Sequence, residues 1–521
     1  MAINTNQKPK AVLYWVRRDF RLTDNPALSK ALESAREQNL PLIPIYILDD
    51  GLLANNNWNI GFSRRHFLSK ALAYFASNFD FLYIFVGKTE KIFEKIAVQI
   101  QLEVFANDDI EPYSRTRDAK IAQIVTGKGG AFHAFRDQMT ISEELKSGTG
   151  NSYSVYSPLR NSAFESFLQA PIYPKVDQQE LKKYTNLHKY AEIKAILEQQ
   201  KFLEPKADIE TVQKQIFELI DRPNILYFQN PEVTPISINI DELVARPNLD
   251  KYWYYTEEEA QKHFDIFVNT KLLNYKECRD NLGLDVDQGS RTSQMSPALK
   301  WGLVSARYLT QEILEVHSRE QIFKNQNIYH YVSELLWREF YRYVLYHKPE
   351  VLNVEFQQKY RGDKIQWLYG DEATNRFKAW ITGNTGYAVV DAAMNQISQM
   401  GWMHNRSRMI VGSILTKNLG LNWRWGQEYF RLMLIDLDEA SNNGGWQWAA
   451  SVGADPKPIR IFNPYTQAKN YDADNAYQKK WLPKNYNYQK PPLVDHKLAR
   501  EQALERYGLN SQKNSEKGLL I

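Results

Sequence analysis

Ala11-Val-Leu-Tyr-Trp-Val16 is six apolar residues without a polar interruption, and it opens directly onto Arg17, Arg18 and Asp19. A short run of β-branched and aromatic residues with polar flanks reads as a strand buried on both faces, the kind found inside a parallel sheet. The same signal recurs at 42–48, 81–86, 102–106 and 131–135, with helical patterns such as 25–37 and 64–77 between the runs. Strand and helix alternating as far as about residue 138 predict an α/β domain built on a doubly wound parallel sheet. Gly127-Lys-Gly-Gly130 lacks the spacing of a phosphate loop and the Ser or Thr that should follow, so a turn is expected there.

Outward from this domain the pattern changes. Residues 140–250 are polar, carry scattered prolines and show no strand alternation, which reads as a long connector with helix around 192–200 and 209–219. From about residue 250 to 491 helical periodicity takes over, as at 328–345, 388–400 and 407–418. The expected division is an α/β domain at 1–140, a connector at 141–250, an all-α domain at 251–495 and a short charged tail at 496–521, with no large extension.

Composition bounds the function classes. A chain of 521 residues with 43% apolar and 24% charged residues is that of a globular protein with two or three domains. The first apolar run is too short for a signal-peptide core, and none approaches the roughly 18 residues of a membrane span, so a cytoplasmic protein without membrane contact is expected. Cys278 is the only cysteine, which excludes intramolecular disulfides and cysteine-rich zinc sites and leaves an inert thiol as the expectation; no metal is expected. A net charge of +4 does not announce a nucleic-acid binder. The anomaly is aromatic: ten of the thirteen tryptophans fall within 301–481.

Three stretches in that span gather chemistry. In Tyr331-Val-Ser-Glu-Leu-Leu-Trp-Arg-Glu-Phe-Tyr341, helical spacing stacks Glu334, Trp337 and Arg338 on one face, either as a salt bridge beside a packed indole or as a ligand site. In Gly401-Trp-Met-His-Asn-Arg-Ser-Arg-Met409, Asn405 and Met409 share a face while Arg406 and Arg408 are expected to project elsewhere. An amide and a thioether can line a base pocket, and arginines can hold anions; ordinary helix packing is the competing account. Asp436 and Asp438 precede Asn442-Asn-Gly-Gly-Trp-Gln-Trp448, where Trp446 and Trp448 must face different environments. The two carboxylates lack the partners of a glycosidase pair or a magnesium site.

Taken together with Tyr14-Trp-Val-Arg-Arg-Asp-Phe-Arg-Leu-Thr-Asp-Asn25 and Tyr153-Ser-Val-Tyr-Ser-Pro-Leu-Arg-Asn161, these blocks resemble the photolyase/cryptochrome family, most closely the bacterial class I cyclobutane pyrimidine dimer photolyases. The resemblance covers nearly the whole chain. It implies FAD in the helical domain, clamped by Tyr275 and by Thr292, Ser293, Gln294, Met295 and Ser296, with Gln294 standing where the family usually has arginine. It also implies that Tyr331, Arg338, Arg408, Asp436 and Asp438 face the flavin, that Arg408 pairs with Asp436, and that Asn442 sits beside flavin N5.

For the lesion the resemblance implies Glu334, Trp337, Asn405, Arg406, Met409 and Trp448, in keeping with the lower cost of flipping out bases that have already lost their stacking; photolyases are themselves a standard example of base flipping. Arg279, Arg406, Arg460 and Gln467 are the implied grips on DNA phosphates, and Trp446, Trp423 and Trp367 the implied electron wire from flavin to surface. The implied partner is DNA containing pyrimidine dimers, bound by a monomer with no obligate protein partner. An antenna chromophore is implied in the sheet domain. There Asp109-Ile-Glu-Pro-Tyr113 resembles the versions that use 8-hydroxy-5-deazaflavin, with methenyltetrahydrofolate the other choice. A six-four photolyase is disfavoured by Met403-His404-Asn405-Arg406, and a cryptochrome photoreceptor by Asn442 and the short tail.

Overall fold

The computed structural model describes residues 8–49, 60–200, 202–203, 208–230, 233–283, 291–454 and 459–509. Its first layer is a sheet of β1 (Lys10–Val16), β2 (Leu42–Asp49), β3 (Tyr83–Gly87), β4 (Gln101–Asn107), β5 (Ala131–Phe135) and the two-residue β6 (Phe202–Leu203). Their spatial order is β5-β4-β1-β2-β3-β6. β1 to β5 run parallel, with Val12 opposite Leu42 and Ala11 opposite Leu102, while β6 pairs antiparallel with β3. The unbroken apolar run Ala11–Val16 of β1 follows from its central place, since helices cover both faces.

Local signals set the helix ends. Asn25 caps the helix Pro26–Gln38 by accepting from the Leu28 N–H at 3.1 Å, and Asn39 closes it in the left-handed region. Gly127, Lys128 and Gly129 form the expected turn ahead of β5, with Gly129 at φ +84°. Polar residues at the carboxyl ends of β1 and β4 form a buried knot: Tyr14 and Asn107 both donate to the Asp19 carboxylate, at 2.7 and 2.6 Å, and Asn25 donates to the Tyr14 hydroxyl.

The connector is more ordered than its prolines imply. The helices Ala191–Glu198 and Ile209–Ile220 lie where expected, and two further helices, Tyr156–Leu168 and Gln178–Thr185, stand where none was expected. β7 (Ile225–Asn230) and β8 (Val233–Asn239) make an antiparallel hairpin in a region read as strand-free. Pro235 stands within β8, a position a two-stranded ribbon tolerates because one side of each strand needs no ladder partner. The tail also differs. His496–Arg506 is a helix that buries Ala499, Ala503 and Leu504, while 510–521 lie outside the described residues.

From Glu257 onward the chain is helical, and among the described residues no helix is long and apolar enough to cross a membrane. Buried charge fastens this part to the sheet layer. Arg307 donates to Asp24 at 2.9 Å and to Asp137 at 2.7 Å, and Arg21 reaches Asp137 at 2.5 Å. Glu257 accepts from the Leu22 and Thr23 amides, and Glu339 from those of Thr140 and Ile141. Gly302 permits the approach: a Cβ there would stand 2.0 Å from the Arg18 carbonyl oxygen.

Candidate functional site

The helical layer encloses a cavity of about 590 Å³, in the range of small-molecule and cofactor sites. The long helix Gln326–His347 supplies one wall. Its N-cap Asn325 accepts from two backbone amides, and its turns present His330, Glu334, Trp337, Arg338, Tyr341 and Arg342 to the cavity in the i, i+3, i+4 rhythm expected of Glu334, Trp337 and Arg338. The connector helix Tyr156–Leu168 braces this wall, since Tyr156 stacks on Trp337 at a centroid distance of 3.6 Å.

The helix Asn405–Ser413 begins at the cavity. The Asn405 amide lies 3.8 Å from the Met409 sulfur, so these two share a face as expected. Arg406 and Arg408 do not project elsewhere, because the helix meets the cavity at its first turn and all four side chains reach the wall. Arg408 donates to Asp436 at 2.7 Å, the pairing the resemblance implies, and fixes itself further on the Met403 carbonyl at 2.8 Å. Arg406 pairs with Asp280 at 2.5 Å and lies over the Tyr471 ring.

The third wall is the helix Glu439–Ala449, which Asp438 caps by accepting from Ser441. Asp438 also receives Arg342 at 2.7 Å. Burial alone would raise its pKa, but Arg342, Arg338 and Lys300 overcome this and hold the carboxylate well below its ordinary range. Burial and the neighbouring Arg342 push Arg338 down to about 10, still cationic at neutral pH. Lys300 falls to about 8, chiefly by burial. Trp446 and Trp448 differ in exposure, one buried and one half-buried, yet both line the same cavity.

Tyr275, Ser293, Met295 and Ser296 line the remaining side, and the Tyr331 hydroxyl donates to Ser293 at 3.0 Å. Thr292 and Gln294 are not among the lining residues. Gln294 has φ +51°, a left-handed kink that turns the backbone between Ser293 and Met295. Arg460 packs its guanidinium 5.1 Å from the Trp448 ring, and Gln467 lies half-buried on the helix Pro464–Tyr471. Of the other two wire candidates, Trp423 is fully buried and donates to Glu355 at 3.1 Å, while Trp367 is half-buried, 6.1 Å from Tyr507. Cys278 is half-buried beside the site.

Sequence reasoning did not single out His330, Asp280, Lys300 or Tyr341, all of which line the cavity. His330 was within reach, since it precedes Glu334 by one helical turn.

The wall fits a large, flat, polar ligand. Asp436 Oδ1 and Trp446 Nε1 are buried with no hydrogen-bond partner among the described residues, and both belong to the lining. Buried polar atoms are rarely left so, and an isoalloxazine and its ribityl chain bring groups for both.

A family model described as DNA photolyase matches residues 12–178, and one described as the FAD binding domain of DNA photolyase matches 331–513. A deoxyribodipyrimidine photo-lyase of Synechococcus sp. is 32% identical over 480 residues, covering 91% of this chain and 87% of that one. A bacterial class III photolyase from Agrobacterium tumefaciens superposes with a TM-score of 0.73 at 28% identity, over 98% of this chain and 99% of the other. A cryptochrome from Synechocystis sp. shares the fold, with a TM-score of 0.69 at 24% identity over 97% and 95% of the two chains.

Proposed function

The chain belongs to the photolyase family, FAD-binding enzymes of light-driven DNA repair, and we propose how its cavity divides that work among its own residues. The observation that carries the reading is that one cavity is lined by both groups of residues: Arg408, Asp436, Asp438 and Asn442, which we assign to the flavin, and Glu334, Trp337, Asn405, Met409 and Trp448, which we assign to the lesion at its mouth. FAD held there in its reduced form would supply, under blue or near-ultraviolet light, an electron that splits a cyclobutane pyrimidine dimer and returns once the ring has opened.

The protein positions and polarises. Arg408 engages one oxygen of Asp436 and leaves Oδ1 to accept from the cofactor. Asn442 gives its amide N–H to the Gln427 carbonyl at 3.2 Å, which leaves the neutral amide oxygen as an acceptor for a flavin N–H. At the mouth, Trp337 and Trp448 offer apolar walls to flipped-out bases, and Glu334 an acceptor for their N–H groups. Arg279, Arg406, Arg460 and Gln467 serve the DNA backbone, and Trp446, Trp423 and Trp367 refill the flavin.

A second cavity, of about 140 Å³, lies at the carboxyl ends of β1 and β2, where open parallel sheets bind ligands. Arg17 and Arg117 sit 4.9 and 4.7 Å from the Trp15 ring there, beside Asp109 and Glu111. This is the site for an antenna, with 8-hydroxy-5-deazaflavin favoured by the Asp109–Tyr113 segment and methenyltetrahydrofolate as the other candidate.

The test is repair of a dimer-containing oligonucleotide by protein carrying fully reduced FAD. Intact thymines should return under light only; equal yields in light and dark overturn the reading.

A further inference from the structure

We propose that His330 is a positioning residue for DNA binding: its protonation releases Arg279 from the cavity mouth to a backbone phosphate. The inference rests on the reading above that Arg279 faces the DNA.

His330 Nε2 stands 3.1 Å from Arg279 Nη1 and 3.7 Å from Glu334 Oε1. A guanidinium only donates, so Nε2 is the acceptor and the ring is neutral, with its proton on Nδ1. Arg279 is also paired with Glu334, and its Nε lies 3.7 Å from Asp280, which in turn holds Arg406. Two of the arginines assigned to phosphates are therefore held by two acids and one imidazole.

The His330 side chain is 39% exposed, so it exchanges protons with solvent. Charged groups face it from both helices packed there. Glu334 lies on its own helix, and Lys276, Arg279 and Asp280 lie on or just after the helix Tyr275–Cys278, whose Tyr275 ring is 6.2 Å away. Burial pulls the imidazole below its ordinary pKa; Glu334 and Asp280 oppose that, and Arg279 and Lys276 add to it.

A proton taken from solvent onto Nε2 ends its role as acceptor and sets cation beside cation. The imidazolium then takes Glu334 as its partner. Arg279 loses one acceptor, must share Glu334 and keeps only Asp280, 3.7 Å from its Nε, so a DNA phosphate becomes its best added counter-charge. DNA binding and proton uptake at His330 thus favour each other, so affinity rises as pH falls through the histidine's pKa.

The test is dark binding of the FAD-loaded full chain to dimer-containing oligonucleotide across a salt series, at steps from about pH 8 down to about pH 5, because burial places the His330 midpoint below that of an ordinary histidine. Wild type should bind more tightly at the lower pH, by several-fold, and its log–log salt slope should steepen by roughly 0.7 to 0.9, one added phosphate contact. His330→Gln keeps an acceptor but cannot be protonated, so both changes should vanish. Arg279→Gln should also abolish the steeper slope while His330 still titrates by NMR. The same pH response in His330→Gln, or a retained slope change in Arg279→Gln, overturns the proposal. A preference for dimer DNA without a histidine-dependent response sinks this inference alone; no preference at any pH sinks the lesion reading with it.

Discussion

The indole of Trp446 packs directly on Gly426: a Cβ added at Gly426 would stand 2.0 Å from the ring. The contact joins the helix Trp423–Met433 to the cavity wall. Replacing a mid-helix glycine by alanine ordinarily stabilises a helix by about 0.5–1 kcal/mol. Here the ring must move, and overpacking a core costs about 1–3 kcal/mol. Gly426→Ala should therefore lower the melting temperature and loosen FAD, followed by calorimetry and by flavin retained on gel filtration. A variant as stable as wild type with full flavin content would contradict the packing argument.

Asp137 should make the joint between layers acid-sensitive. Burial alone would raise its pKa, but Arg21 and Arg307 hold it at about 2, below its ordinary 3.8. A depressed carboxylate stabilises the fold fully above its unfolded pKa and loses that contribution as pH falls towards the folded value. The stabilisation is about 2 kcal/mol, disappearing between about pH 4 and about pH 2. Asp137→Asn should cost about 3–5 kcal/mol at neutral pH, because buried Arg21 loses its carboxylate and buried Arg307 keeps only Asp24. Denaturant titrations as a function of pH check both, and the variant should show a flatter acid limb.

Removing Arg408 should empty the cavity without unfolding the protein. Arg408→Ala leaves buried Asp436 with neither oxygen engaged by a side chain. A buried charged acceptor that loses its partner costs about 1.5–3 kcal/mol, so FAD affinity should drop by at least roughly tenfold. Flavin fluorescence titration measures the affinity, and unchanged far-ultraviolet circular dichroism separates lost binding from lost structure.

Trp423→Phe and Trp446→Phe should separate two light-driven steps. Each should slow photoreduction of oxidised FAD by more than about tenfold, the loss expected when a transition costs a further 1.4 kcal/mol or more. Repair by chemically pre-reduced protein should persist, because the wire only refills the flavin. Transient absorption and a repair assay on the same preparation read the two steps.

Which elements were legible follows from what signal each carries. β1 announces itself because a strand buried on both faces is apolar throughout. β7 and β8 were lost to Pro223 and Pro235, punctuation that breaks interior strands but not a ribbon edge. The helix Tyr156–Leu168 buries Tyr156, Leu159, Ala163, Phe164 and Phe167, a legible periodicity masked by its polar surroundings.

At the site, Glu334, Trp337 and Arg338 were legible because one helix places them together. The Arg408–Asp436 pair came only through family resemblance, since 28 residues separate the partners. Asp280 carried no local signal at all: its role depends on Arg406 arriving from another helix. Arg406 and Arg408 were misdirected because angular spacing around the axis decides contacts only along a helix's flank, and this helix meets its cavity at its first turn.

The buried set of Arg21, Asp24, Asp137 and Arg307 also limits modularity. Two separate family models match the chain, which invites treating the halves as exchangeable parts. The charges say otherwise, because buried Arg307 of the helical half finds its carboxylate partners, Asp24 and Asp137, in the sheet half. A chimera that takes its sheet half from a relative must bring Arg21, Asp24 and Asp137 as a unit with the grafted half, matched to Arg307 and to glycine at 302. Recombination points that cut this set apart leave a buried charge unpartnered and destabilise the chimera even where both parents fold.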